Sequence, residues 1–361
     1  AALSPSAYFH LHRDSKVTGV ENGMVGIFHG PIVYNDQEKF KKIDYKDIEK
    51  GKKNLFVATT DSGWIGMVEH YFVNAWLPKA GAKRDYYMSK EDGDIYRAGL
   101  KMAVGDVAPG ATVKVSTPLY MGPQEQDGLK AAAPGLDLVV DYWKLHFIAA
   151  PMFWLLQWFH GFVNNWGWAI VLLTVLIKGV FYPLNAAAGR SMGKMKLVAP
   201  KLKEIQAKYA DDRVKLNQAM MELYKKEKIN PLGGCLPILI QMPVFISLYW
   251  VLMAAVELRH APWIGWIQDL SAPDPWFILP VLYGLTAFAQ AKIQPPAPGM
   301  DPMQQKIMQY MPVAFAAMFF FFPAGLVLYW TVSNILQIAQ QWQINKMLER
   351  EQAAVVAAGK R

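Results

Sequence analysis

Four apolar stretches, 166–184, 232–256, 276–291 and 307–345, dominate the second half of this sequence, and they carry one charge among them, Lys178. About 20 predominantly apolar residues are needed for a helix to cross the hydrocarbon of a bilayer. The last stretch is long enough for two such helices and holds a breaker cluster, Phe322-Pro-Ala-Gly325, near its middle. It therefore reads as a tight hairpin of spans 307–322 and 325–345. The third stretch is short and begins or ends near the interface. The expectation is a multi-domain membrane protein whose all-α core, 161–350, has five transmembrane helices at about 166–184, 232–256, 276–291, 307–322 and 325–345. A hydrophobic content of 53% agrees with this and exceeds that of an ordinary soluble domain.

The loops set the orientation. Eleven Lys and Arg lie in 185–231, among them Arg190, Lys194, Lys196, Lys201 and Lys203, against Arg259 alone in 257–275. By the positive-inside rule the first loop is cytoplasmic and the second lies outside. Five spans then put the N-terminal half outside, and the Gln294-Pro-Pro-Ala-Pro298 turn and the tail 351–361 inside. Within the basic loop Met195, Val198, Leu202, Ile205 and Tyr209 recur at the spacing of a coiled-coil seam, and Leu216, Met220 and Leu223 continue it after Ala210-Asp-Asp212. This predicts a cytoplasmic helical hairpin over 189–229, with Pro200 kinking or interrupting its first helix. Met192, Met195, Met220 and Met221 offer either an adaptable surface or simple packing.

Residues 1–130 are different in kind. Short alternating runs such as 111–118, which puts Val113 and Val115 on one face, and turn signals at Glu21-Asn-Gly23, Asp61-Ser-Gly63, Glu91-Asp-Gly-Asp94 and Pro109-Gly110 predict a β-rich, sandwich-like domain. After Ala131-Ala-Ala-Pro-Gly135, the spacing of Leu138, Tyr142, Leu145, Ala149, Met152 and Leu156 predicts an amphipathic helix over 136–160. Its Trp143, Trp154, Trp158 and Phe159 suit a membrane interface. The chain opens on Ala1 with no signal-like stretch before Tyr8, so a front segment is expected to be missing.

Lys178 admits two readings. A buried charge costs about 3 kcal/mol on insertion scales and is usually turned toward a wet cavity or a partner. No Asp or Glu lies in the spans to pair with it. Alternatively, its stem snorkels about 10 Å to the cytoplasmic interface near Asn185. Thr174, one turn earlier, and Gln241, Ser333, Asn334 and Gln337 are the polar groups that would share a groove. Catalysis finds no support. The seven histidines all lie outside the spans, Cys235 is the single cysteine, and no HExxH, GxSxG or P-loop pattern occurs. No catalytic residue, metal site or cofactor is predicted. A proton-coupled transporter would need an intramembrane carboxylate, which is lacking.

The stretch Lys228-Ile-Asn-Pro-Leu-Gly-Gly-Cys-Leu-Pro-Ile-Leu-Ile-Gln-Met-Pro-Val-Phe245 resembles the bacterial members of the YidC/Oxa/Alb insertase family. So do Asn165-Trp-Gly-Trp168, Asp301-Pro-Met-Gln-Gln-Lys306 and Phe322-Pro-Ala-Gly-Leu-Val-Leu-Tyr-Trp330, and the likeness covers about residues 137–350. Upstream, Trp64-Ile-Gly-Met-Val-Glu-His-Tyr-Phe-Val-Asn-Ala-Trp76 and Leu136-Asp-Leu-Val-Val-Asp-Tyr142 look like the periplasmic domain of Gram-negative members. That domain is usually about twice as long and follows a first transmembrane anchor. The resemblance implies a five-helix core in the inner membrane around a hydrophilic groove, open to cytoplasm and lipid, with Lys178 as its charge where many members have arginine. It implies that Thr174, Gln241, Met242, Phe245, Tyr329 and Trp330 line the substrate path. Nascent membrane proteins, lipid, Sec-type translocon components and the ribosome are the implied partners, with no nucleotide or DNA. The competing function is an assembly chaperone or scaffold beside the Sec channel, without insertion activity of its own.

Overall fold

The computed structural model describes residues 2–16, 28–142, 145–209, 212–227, 236–293 and 302–358. The chain forms two compact units: Ala1–Trp143 with Ala254–Glu257, and Lys144–Met253 with Leu258–Arg361.

The first unit is the predicted β-rich domain. Strands β1 (Ser6–Asp14), β8 (Ile95–Ala103), β7 (Arg84–Lys90) and β4 (Thr59–Thr60) form one antiparallel sheet in the order β1-β8-β7-β4. Strands β3 (Lys39–Lys42), β2 (Gly30–Asn35), β5 (Trp64–Val68), β6 (Phe72–Trp76) and β9 (Leu119–Pro123) form a second in the order β3-β2-β5-β6-β9. Alternation puts Val33, Ile65 and Met67 of one sheet against Tyr86, Tyr96, Ala98 and Leu100 of the other, and this apolar layer is the core. The Asp61-Ser-Gly63 turn needs glycine: at φ +83° a Cβ on Gly63 would sit 1.7 Å from the Tyr34 carbonyl oxygen. The turn expected at Glu21-Asn-Gly23 lies outside the described residues.

Two expectations are corrected here. Residues 111–118 are not a strand. Val113 is exposed, and pairing starts only at the end of the run, where the Pro118 carbonyl accepts the Leu77 N–H at 2.8 Å and the chain continues into β9 beside β6. Nor does a helix begin at 136. Helix α1 (Tyr45–Glu49) lies between β3 and β4, and α2 (Gln126–Ala132) follows β9; a 3-10 turn, Leu136–Val139, comes next. Leu129, Leu136, Val139, Val140 and Tyr142 are all buried. The Trp64 Nε1–H donates to the Pro134 carbonyl at 3.0 Å, and Gly135, at φ +72°, lets the backbone pass the Tyr34 ring. Leu138 and Tyr142, the first members of the expected helical stripe, thus belong to the β-rich unit, and Ala149, Met152 and Leu156 to α3.

The second unit is helical: α3 (His146–Val163), α4 (Trp166–Val180), α5 (Tyr182–Lys208), α6 (Arg213–Lys226), α7 (Leu236–Ala254), α8 (Ile278–Ile293), α9 (Pro302–Ala316) and α10 (Ala324–Ala358). Helix α3 is two-faced. It buries Ala149, Met152, Phe153 and Leu156, and exposes Phe147, Trp154, Trp158 and Phe162. Helices α5 and α6 pack as the expected hairpin through Val198, Leu202 and Tyr224, with Met220 and Leu223 beside them. Lys201 and Glu227 bridge the pair at 2.7 Å. Helix α5 continues through Pro200, so of the expected kink or interruption the interruption does not occur. Pro200 is exposed, so the carbonyl left without a partner can be hydrated. The side chains of Met192 and Met195 lie outside the description; Met221 is exposed. The expected break after 322 is a 3-10 turn, Ala317–Phe321, followed by Pro323, and α10 runs on unbroken through most of the predicted tail.

Among the described residues no single helix is long and apolar enough to cross a membrane. The pair Trp166–Val180 and Tyr182–Ser191 passes that test together, bent by 59°. The bend falls at Phe181, with Pro183 in the first turn of α5. Shorter apolar helices are Leu239–Ala254, Ile278–Ile293 and Gln309–Phe321.

Candidate functional site

The site is built on α4, α7 and α10, and one loop fixes the ends of three helices around it. Asn165 caps α4 by accepting the Trp168 N–H at 3.1 Å, and its amide donates to the carbonyls of Pro262 and Trp263. A Cβ on Gly167 would lie 2.2–2.6 Å from Trp263 atoms, so only glycine admits this approach. Asp274, 1% exposed, accepts from the Trp266 indole at 2.9 Å and from the backbone N–H groups of Trp276 and Leu279 at 3.0 and 2.7 Å, capping α8. The first N–H groups of α10 are satisfied by the same loop: Ala324 donates to Ala272 at 2.7 Å and Gly325 to Leu270 at 2.9 Å. At the other end, α5 closes on α10 where Gly189 and Gly193 meet Ile344 and Leu348.

Within this frame, Lys178 sits in the last turn of α4, half-buried, and its Nζ donates to the Gln337 Oε1 of α10 at 3.2 Å. Among the described residues it makes no ion pair. Gln241 of α7 donates its amide N–H to the Tyr329 hydroxyl of α10. Phe245 meets the Trp330 ring edge-on at 4.7 Å, and Tyr283 and Phe319 pack on the same indole. The Trp330 Nε1 is buried without a hydrogen-bond partner among the described residues. Met242 is largely exposed on α7.

Thr174 differs from its sequence-based reading as a polar companion of Lys178. It is fully buried, and its hydroxyl donates to the Ile170 carbonyl of its own helix at 2.7 Å. Ser333 and Asn334 are half-buried on α10. Sequence reasoning missed Gln337 as the direct partner of Lys178. The signal was its seven-residue spacing from Trp330, which puts both on one face of α10. It also missed Asp274 and the Asn165–Trp263 clasp, because a polar loop residue in sequence does not reveal which helix ends it serves.

Residues 158–351, more than half of the chain, match the 60Kd inner membrane protein family. The chain belongs to that family. Residues 1–155 match the YidC periplasmic domain, so this member of the 60Kd inner membrane protein family pairs a periplasmic β-domain with a helical membrane core. It is 54% identical over 357 residues to the membrane protein insertase YidC of Aromatoleum aromaticum (strain DSM 19018 / LMG 30748 / EbN1), a match covering 99% of this chain and 64% of that one. The membrane protein insertase YidC of Cupriavidus necator (strain ATCC 17699 / DSM 428 / KCTC 22496 / NCIMB 10442 / H16 / Stanier 337) is 54% identical over 358 residues, with 99% and 64% covered. The chain therefore spans just under two thirds of the length of these relatives. A solved structure, titled active YidC insertase crystal structure with the first transmembrane domain resolved, aligns with a TM-score of 0.49 at 21% identity, covering 86% of this chain and 78% of that one.

Proposed function

We propose that this chain moves hydrophobic segments of nascent proteins into the inner membrane through a hydrated groove, without covalent chemistry and without a nucleotide. The names of its relatives, membrane protein insertases, support the class of activity. The observation that carries the reading is Lys178: a cation in an apolar helix, held to α10 by a neutral amide and, among the described residues, in no ion pair with a carboxylate. Such a charge is unfavourable in lipid and useful in a groove, where it attracts the acidic tail of a client. The apolar part of the client slides past Met242, Phe245, Tyr329 and Trp330 into lipid. Gln241 supplies a polar group on the path, and Thr174 belongs to the same helix, α4, as Lys178. Letting water into part of the bilayer shortens the hydrocarbon path that a polar tail must cross and so lowers the barrier.

The accompanying topology has five spans, with the β-domain and the loop 257–275 in the periplasm and the loop 185–231 in the cytoplasm. The surplus of basic residues in 185–231 supports it. In a Cys235→Ser background, Arg213→Cys should be inert to an impermeant maleimide added to spheroplasts and react after lysis. Labelling of intact spheroplasts contradicts the scheme.

The function is tested by reconstituting the purified chain into liposomes with one short client. Protease-protected insertion above that of empty liposomes is the expected result. Insertion that appears only when a Sec-type channel is added replaces this reading with the scaffold or assembly chaperone. Ribosome and Sec components are proposed partners on the strength of the family resemblance alone.

A further inference from the structure

We infer that Gln337 is a positioning and selectivity residue, holding Lys178 out of reach of the cytoplasmic interface while leaving its charge free for a client's carboxylate. The inference rests on the insertase reading above and deepens it. Lys178 stands in the last turn of α4, where its flexible stem could carry the ammonium toward the interface. Instead the ammonium donates to the Gln337 Oε1 at 3.2 Å, across to α10. An amide is the partner that suits this task. Its oxygen fixes the ammonium in place, yet it brings no charge, so the attraction for an incoming anion survives. A carboxylate at the same position would hold Lys178 more firmly and cancel it. An apolar side chain would release it.

Further along α10, Trp330 lies on the same face as Gln337, and its buried Nε1–H has no partner among the described residues. The Lys178 ammonium of α4 and the Trp330 indole of α10 are thus donors whose acceptors are neutral or, among the described residues, absent. That asymmetry matches a client rich in acceptors: a short acidic tail. A client carboxylate takes the place of the Gln337 amide at the ammonium, and the amide takes the lysine back once the tail has passed.

The test uses the full chain in proteoliposomes and two matched clients, one with an acidic and one with a neutral tail, comparing wild type, Gln337→Glu, Gln337→Leu and Lys178→Ala. Gln337→Glu should lower the ratio of acidic-tail to neutral-tail insertion roughly fivefold. That is the loss of an attraction of about 1 kcal/mol in a hydrated site, at about 1.4 kcal/mol per tenfold. Gln337→Leu should lower the same ratio, because the lysine is free to leave. Neutral-tail insertion should hold in both, a result that a merely structural role for Gln337 does not give. An unchanged ratio in Gln337→Glu, or equal loss on both clients, overturns the inference while Lys178→Ala still lowers the ratio. If Lys178→Ala leaves the ratio unmoved, the groove reading itself falls and takes this inference with it.

Discussion

Replacing Asp274 with alanine will cost roughly 2–4 kcal/mol, because three donors lose a charged acceptor and at least one is left buried without a partner. The unfolding midpoint of the detergent-solubilised chain should fall by several degrees. The Asp274 carboxylate binds the Trp266 indole and two backbone N–H groups at the start of α8, and it is almost wholly buried. The same loop supplies the carbonyls of Leu270 and Ala272 to the first turn of α10 and receives the Asn165 side chain from α4. Losing Asp274 therefore loosens the frame that aligns α4 with α10, and insertion should fall for acidic and neutral clients alike. Asp274→Asn keeps one acceptor oxygen and should recover part of the loss. An alanine variant that melts with wild type would show that the loop is held by its stacked Trp266 and Trp276 rings, 5.9 Å apart, and not by the carboxylate.

What the sequence disclosed follows from how local each signal is. The β-domain was legible mainly from its recurrent turn signals, as at Asp61-Ser-Gly63, which leads directly into β5. Alternation misled at 111–118, where pairing with the neighbouring edge begins only at Pro118 and runs on into β9. Leu138 and Tyr142 continue a helical spacing into α3, yet this segment is packed into the β-domain. Periodicity reports that a face is apolar and not which surface covers it. The helical hairpin was legible from the spacing of Val198 and Leu202 against Met220 and Leu223. In the candidate site, Lys178 was legible because a lone charge in an apolar helix is conspicuous. Its partner Gln337 lies 159 residues away, and the Asn165 contact with Trp263 spans 98. Pairs at such separations are made by the fold, and the sequence showed only that polar groups were available for them.

Reversing the charge at Lys178 should produce the largest functional effect. Lys178→Arg keeps a cation within reach of Gln337 and should retain most activity. Guanidinium geometry differs from that of an ammonium, so some change in rate is expected. Lys178→Ala removes the attraction, and Lys178→Glu replaces it with repulsion. Each step is worth about 1 kcal/mol in a hydrated groove and more where water is thin. Acidic-tail clients should therefore slow by roughly fivefold in Lys178→Ala and by roughly twenty-five-fold or more in Lys178→Glu, at about 1.4 kcal/mol per tenfold. Clients with neutral tails should change little, and they separate a lost charge from a damaged fold. A lysine that merely snorkels gives the opposite pattern, with alanine tolerated and no dependence on the client's tail. The deciding measurement is the initial insertion rate of the two matched clients into proteoliposomes holding wild type or Lys178→Glu, with folding of the variant checked by its melting curve. A selective collapse of acidic-tail insertion is the predicted result, and equal rates for the two proteins on both clients would contradict it.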